Sequence, residues 1–461
     1  MERNPTTSAQ EPGPPFAKAR AVLLRVPSWL PIGVLVIGAV VLHSSFGRPL
    51  WIDEFLHFAL GSHRSTREAW DTIYATTVTV NHGQTGVYML IDYWLLQVFG
   101  ASPLALRLPS LASALLLLGG AIALLRVRGL GLSWQLLVIA ALFSNATLMY
   151  FAGEARPYMP LAAASTGALA YYMMPTSVRA RPSVRILGYA SIVWGSLIHP
   201  YFSLYWLATC LFAYGLALAE RNVRLGWRSL LAHVNVPLCV LGGALYFAIG
   251  ALTWLRGGPS FTLDPFEWVK RDRLVNEFLG VSHTNFMADR SGVLLLSFAA
   301  TPVVVLLAPR RWRQRLRPLL PPSLLLVLAL ALSVVIGWLS YRRNYWILPR
   351  QWVASMALAA VAVVWLWGEI ARAAARVRRA LGLTVLVLAI ASIAPRAGQV
   401  FVDRIRSLRA DLAQRLGPTG ELPPPPAAPI PSDNDGWVAL ANANVRAGGP
   451  VWNVFRRYYG K

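Results

Sequence analysis

Five short stretches of this chain hold residues whose types and spacing could do chemistry. Trp51, Ile52, Asp53 and Glu54 place two adjacent carboxylates directly after an apolar run. A carboxylate at the edge of an apolar medium has its pKa raised by partial burial and can act as a general base near neutral pH. Ordinary loop solubility is the alternative role for such a pair. Asn81, His82 and Gly83 follow. Leu106, Arg107, Leu108, Pro109 and Ser110 open a long apolar block, and Glu154, Arg156 and Tyr158 stand in Gly153–Tyr158 between two more blocks. Late in the chain, Tyr341–Arg350 carries Arg342, Arg343 and Arg350 with no acid. Planar guanidinium forks there suit either an anionic substrate group or lipid headgroups. His199 precedes Pro200 and Tyr201 in a turn, where an interfacial hydrogen bond and a substrate contact are both open. His57 lies four residues after Asp53, a spacing that could hold a metal, but no second such pair supports one and no resident cofactor is expected.

These residues need elements to hold them, and the composition says which. Of 461 residues 56% are hydrophobic and 14% charged, against about 25% charged in soluble proteins. The apolar residues come in blocks long enough to cross the hydrocarbon core of a bilayer, which takes about 20 residues per helix. Taken in order they predict spans near 29–46, 105–125, 134–151, 157–174, 186–199, 201–219, 230–255, 292–308, 319–340, 352–368 and 380–395. The segment Val87–Phe99 is short and contains Asp92, which fits a surface-lying or re-entrant helix better than a span. The expected fold is therefore an all-α polytopic membrane protein of about eleven transmembrane helices, with surface helices in the first and fourth outer loops.

The formal charge of +23 is not a nucleic-acid footprint, which would be one stripe on one domain. The arginines fall in short clusters between apolar blocks, as in Arg310, Arg311, Arg313, Arg315 and Arg317. By the positive-inside rule those clusters face the cytoplasm, with the N-terminus inside and most of the carboxylates outside. The organisation expected is a cytoplasmic tail over 1–28, a transmembrane domain over 29–396 with outer loops 47–104 and 256–291, and an outer-face segment over 397–461. That last segment should hold an amphipathic helix, a Pro-rich linker around Pro423–Pro426 and a polar tail. Cys210 and Cys239 both lie in apolar blocks and read as small core residues.

The order of these motifs resembles the GT-C glycosyltransferases, and more closely the protein O-mannosyltransferase and aminoarabinose transferase group of family 39-like enzymes. The resemblance rests on the Asp53–Glu54 pair after helix one, Asn81-His82-Gly83 before a short helix, the Ala105–Ser110 stretch, a basic inner turn, and Glu154–Tyr158. It covers roughly residues 30–175. Asn81-His82-Gly83-Gln84 departs from the family's usual His-Pro-Pro, and Gln351 stands after Arg350 where Tyr would be expected. The resemblance implies transfer of a sugar, with inversion, from a polyprenyl-phosphate carrier to an acceptor on the outer face. It implies Asp53 as base, with Glu54 beside it as the other catalytic acid. His82, Arg107, Glu154, Arg156, Tyr158 and His199 would contact acceptor and sugar.

A lipid-phosphate leaving group carries its charge on one phosphodiester, which arginines can stabilise without a metal. Arg350, and after it Arg343, are the expected donor-phosphate residues. The partners are then a polyprenyl-phosphate-linked sugar, membrane lipids and an acceptor glycan, lipid or protein, in the inner (cytoplasmic) membrane. The rival class is a transporter or flippase of a lipid-linked saccharide. Transporters commonly show two symmetric halves of broken helices, and the two halves of this chain look unalike.

Overall fold

The computed structural model describes residues 54, 57, 60–61, 63–75, 86–100, 103–199, 201–219, 225–234, 240–244, 248, 291–342 and 349–416. Among these residues every regular element is helical. We label α1 Thr66–Ala75, α2 Val87–Phe99, α3 Pro103–Val127, α4 Leu132–Phe143, α5 Ala146–Ala152, α6 Tyr158–Met173 and α7 Pro182–Ile198. The series continues with α8 Phe202–Ala219, α9 Trp227–Val234, α10 Ser291–Leu307, α11 Arg310–Leu316, α12 Leu320–Arg342, α13 Val353–Ala375 and α14 Arg379–Leu416.

Among the described residues five helical runs are long and apolar enough to cross a membrane: most of α3, α8, the run Arg310–Leu339, Arg350–Val377 around α13, and the first part of α14. The chain is a multi-pass membrane protein in composition and helix length, and the described residues do not establish all eleven expected spans. Expected span 29–46 and expected loop 256–291, apart from Ser291, lie outside the described residues, as does much of 230–255.

Two helices form the centre. In α6 every residue but Gly167 is buried, and α13 is buried along most of its length. Both are apolar all round, the pattern of a helix enclosed on every side. The run Ala162-Ala163-Ala164-Ser165-Thr166-Gly167-Ala168 lets neighbouring backbones come close, which is how helices associate where lipid removes the hydrophobic drive. α3, α7, α8 and α13 all pack on α6, while α12 and α14 pack on α13. At Gly188 of α7 the fit is tight, since a Cβ there would sit 2.3 Å from the Tyr171 ring of α6.

Two expectations are corrected. The predicted span 134–151 is interrupted between α4 and α5. Ser144 Oγ donates to the Ala141 carbonyl, and the Asn145 side chain accepts from Leu148 N–H at 2.9 Å, capping a new helix. Side chains that bond local backbone in this way compete with the helical ladder. At the other end, the span 380–395 and the amphipathic helix after it are one continuous 38-residue helix, α14, that passes through Pro395. At 1.5 Å per residue it is about 57 Å long, well beyond a hydrocarbon core of about 30 Å.

Candidate functional site

The helix ends sort the chemistry. The starts of α3, α6, α8 and α13 and the ends of α5 and α7 contribute to one cluster of polar and aromatic side chains. Alternation of chain direction produces this. Helices that run opposite ways put every second connection at the same end.

Glu54 is the keystone of the cluster. It is 1% exposed and lies 53 residues from its partner Arg107, itself fully buried in the first turns of α3. Arg107 Nε donates to Glu54 Oε1 at 2.8 Å and Nη2 donates to Oε2 at 2.7 Å, a bidentate fork. The backbone N–H of Ala155 donates to the same Oε1 at 2.8 Å. One carboxylate therefore ties the segment around Glu54, the start of α3 and the 153–157 turn together. Such charge-assisted bonds fix direction as well as distance.

Glu54, His57 and Leu60 recur at threes, are each helical, and are each buried. Their shared face meets α1 and α2. Leu60 packs with Ala69, Ile73, Met89, Leu90 and Tyr93. His57 Nδ1 lies 2.6 Å from Asp92 Oδ2, both groups being excluded from solvent. α2 is thirteen residues long, short for a span, and it lies against α1 and α3. Burial, with the Glu54 carboxylate nearby, pushes the Asp92 carboxyl well above the usual carboxylate range, against the pull of Arg156. Tyr88 of α2 shares a 2.9 Å hydrogen bond with Ser110 of α3, and Ser110 Oγ donates on to the Arg156 carbonyl.

The second half of the cluster gathers around Tyr158, the first residue of α6. The Arg156 and Arg350 guanidinium groups each lie 5.8 Å from the centre of its ring. His199, which ends α7, lies with its ring 5.7 Å from Tyr158 and 4.9 Å from Tyr201. Its Nδ1 accepts from the Tyr201 N–H at 3.2 Å. Burial first, then Arg156 and Arg350, hold the His199 pKa down at about 3. The imidazole is neutral and adds no charge. Arg350 arrives on a 3-10 turn, Pro349–Trp352, that leads into α13, with Trp352 Nε1 anchored on the Ser333 carbonyl at 3.0 Å.

Of the residues singled out from sequence, the structure brings together Glu54, Arg107, Glu154, Arg156, Tyr158, His199 and Arg350. Glu154 is buried in the turn, where its carbonyl accepts from Arg156 N–H at 2.8 Å. Asp53, His82 and Arg343 lie outside the described residues. The sequence reading did not place Asp92, Tyr88 or Ser110 in the site. A carboxylate in an otherwise apolar helix was the available signal, because such a group requires a polar partner. His57 was weighed only as a metal ligand to Asp53, whereas its Nδ1 faces Asp92.

Chemically the arrangement offers two things. One is a pair of buried carboxylates, Glu54 and Asp92, near enough to act on each other. The other is an aromatic wall carrying two guanidinium groups and a neutral imidazole, suited to an anion with an apolar or sugar-like face. No protein-family model matches the chain, and no curated protein matches it. Among solved structures the chain is similar to the crystal structure of ArnT from Cupriavidus metallidurans bound to undecaprenyl phosphate. The identity is 17%, over 90% of this chain and 85% of that chain, with a TM-score of 0.39. So distant a likeness assigns no function, and the functional reading rests on the site itself.

Proposed function

We propose that this protein is a membrane glycosyltransferase that moves a sugar from a polyprenyl-phosphate donor to an acceptor at the outer face of the inner membrane. The observation that carries the reading is the pair Arg156 and Arg350 at the Tyr158 ring, beside a buried acid cluster at one end of an apolar helical bundle. A lipid phosphodiester needs a cationic seat at the membrane edge, and a sugar hydroxyl needs a carboxylate to take its proton.

In this reading Arg350 and Arg156 bind the donor phosphate, neutralising the charge that grows on it as the glycosidic bond breaks. Arg343 would add to that seat. Tyr158 and His199 form the face against which the sugar rests, and neutral His199, its Nδ1 already accepting from Tyr201 N–H, keeps Nε2–H to donate. Asp53 is the general base. Its neighbour Glu54 is already held by Arg107 and the Ala155 N–H, so Glu54 acts as a positioning residue. His82 and Glu154 would contact acceptor or sugar.

Attack by the acceptor oxygen on the anomeric carbon forms the new glycosidic bond as the bond to the phosphate oxygen breaks. The acceptor proton passes to Asp53 and polyprenyl phosphate leaves with its electron pair. Attack from the side opposite the phosphate inverts the anomeric centre. The acidic site faces away from the cytoplasm when the arginine clusters face it.

The test is incubation of the purified protein with synthetic polyprenyl-phosphate sugars and a lipid, glycan or protein acceptor extract. Release of polyprenyl phosphate with a new glycosidic product supports the transferase. Donor movement across proteoliposomes without any product would establish the rival flippase reading instead.

A further inference from the structure

The bundle has a second feature, running along α8 from just past Tyr201 to its far end. Between α8 and α12 runs a groove of about 1210 Å³. It follows α8 from Leu204 to Ala219, about 22 Å at 1.5 Å per residue. Its walls are apolar, and Leu207 and Leu211 of α8 are 58% and 52% exposed. Apolar walls this open at membrane depth suit a hydrocarbon chain.

The polar groups of the groove gather at the Ala219 end, where Arg128, Gln314, Arg317 and Glu369 line it. Glu369 is already matched, accepting from Arg372 Nη1 at 2.9 Å and from Trp365 Nε1 at 3.1 Å. Arg317 reaches across the mouth to donate to the Ala219 carbonyl. The Arg128 guanidinium stacks 4.9 Å over Trp365, which holds its fork at the opening. Next to them α11 has no buried residue and brings Arg310, Arg311, Arg313 and Arg315. The sequence holds no acid between Asp289 and Glu369. The mouth is thus strongly cationic while the length of the groove is apolar.

We propose that the groove is a binding site for an anionic glycerophospholipid, with its phosphate against Arg128 and Arg317 and an acyl chain lying between α8 and α12. Charge complementarity selects an anionic headgroup, and the groove's single polar end fixes which way the lipid points. The proposal is independent of the transferase reading. A polyprenyl-phosphate donor seated at Arg156 and Arg350 would have its phosphate at the opposite end of α8, so the two headgroups would occupy different seats. Occupancy would complete the wall between two helices that otherwise leave their apolar faces open.

The experiment uses full-length protein, stripped of lipid in detergent and titrated with short-chain phosphatidylglycerol or phosphatidylcholine, with bound lipid read by native mass spectrometry. Phosphatidylglycerol should bind about tenfold or more tightly than phosphatidylcholine, because both carry the phosphodiester but only the choline cation is repelled by the arginine-rich mouth. The double variant R128Q/R317Q should abolish that preference. Gly215 lines the groove, and a Cβ there would meet nothing within 4 Å. Gly215→Phe should therefore block the chain with both headgroup arginines kept, and should lower binding of both lipids. Equal affinity for the two lipids in wild type, or an unchanged preference in R128Q/R317Q, overturns the proposal. So does co-purified polyprenyl phosphate that disappears in Gly215→Phe, since it would assign the groove to the donor's tail.

Discussion

Arg107 and Glu54 meet in a bidentate ion pair buried from solvent, 53 residues apart in sequence, and the pair joins the segment around Glu54 to the first turns of α3. The third bond to Glu54, from Ala155 N–H, extends the same junction to the turn before α6. An ion pair so enclosed is costly to break from one side, because the remaining charge stays buried. Arg107→Met should therefore destabilise the protein by about 3–5 kcal/mol, read as a lower thermal midpoint in detergent. The double variant Glu54→Leu with Arg107→Met should be more stable than Arg107→Met alone, yet inactive, since the junction that orients the site is gone. If Arg107→Met leaves the midpoint unchanged, the pair is not the strut described here.

Arg350 and Arg156 approach the same Tyr158 ring, and the proposed role of Arg350 is to bind the donor phosphate. Charge-assisted hydrogen bonds are worth about 1.5–3 kcal/mol, so Arg350→Ala should weaken donor binding by roughly 10- to 100-fold and acceptor binding far less. Arg350→Lys should recover part of the loss, because the charge returns without the planar fork. Equal weakening toward donor and acceptor would instead assign Arg350 to headgroup anchoring.

His199 makes a prediction about acid. Its pKa in the folded protein is held at about 3, against 6.5 for the ordinary group. Between those values the unfolded chain binds a proton that the native state does not, so native stability falls as pH drops below about 6.5. The loss from this one group is at most about 1.4 kcal/mol per pH unit. His199→Asn should remove that part of the acid sensitivity, flattening the thermal midpoint between pH 6.5 and 4. An identical slope in wild type and variant would mean that His199 protonates freely in the native state.

Much of this architecture is legible in the sequence because bilayer thickness imposes a length on every spanning helix. The ends of α3, α8 and α12 fall within a few residues of the expected spans, and the 153–158 turn stands at the expected junction. What eluded the sequence reading was set by side chains acting on backbone or across distance. Asn145 breaks α4 from α5 with a single cap, and no apolar window registers one hydrogen bond. The last span was expected to end at residue 395, where α14 instead carries on through Pro395. Within the site, Arg107 and Asp92 were recognisable as ionisable residues in apolar surroundings, but their partners Glu54 and His57 were not, since pairings across 53 and 35 residues leave no local spacing. The His57–Asp92 pair shows this well. Each residue was noticed separately, and only the packing of α2 shows them together.

The sharpest expectation concerns the two adjacent acids. An acceptor hydroxyl is a poor nucleophile, and removing its proton as the glycosidic bond forms calls for a carboxylate within hydrogen-bond reach. Glu54 has its oxygens engaged by Arg107 and by Ala155 N–H, bonds it would have to give up to take a proton from an acceptor. That leaves the base role to Asp53. Positioned proton transfer contributes about 10²–10⁴-fold, so Asp53→Asn should lower turnover by that order while donor binding and thermal midpoint stay near wild type. Glu54→Gln should act differently, lowering the midpoint along with turnover, because the amide leaves the Arg107 charge unmatched. Retained turnover in Asp53→Asn would remove Asp53 from the mechanism. A Glu54→Gln variant of normal stability but abolished turnover would exchange the two roles, making Glu54 the base despite its partners.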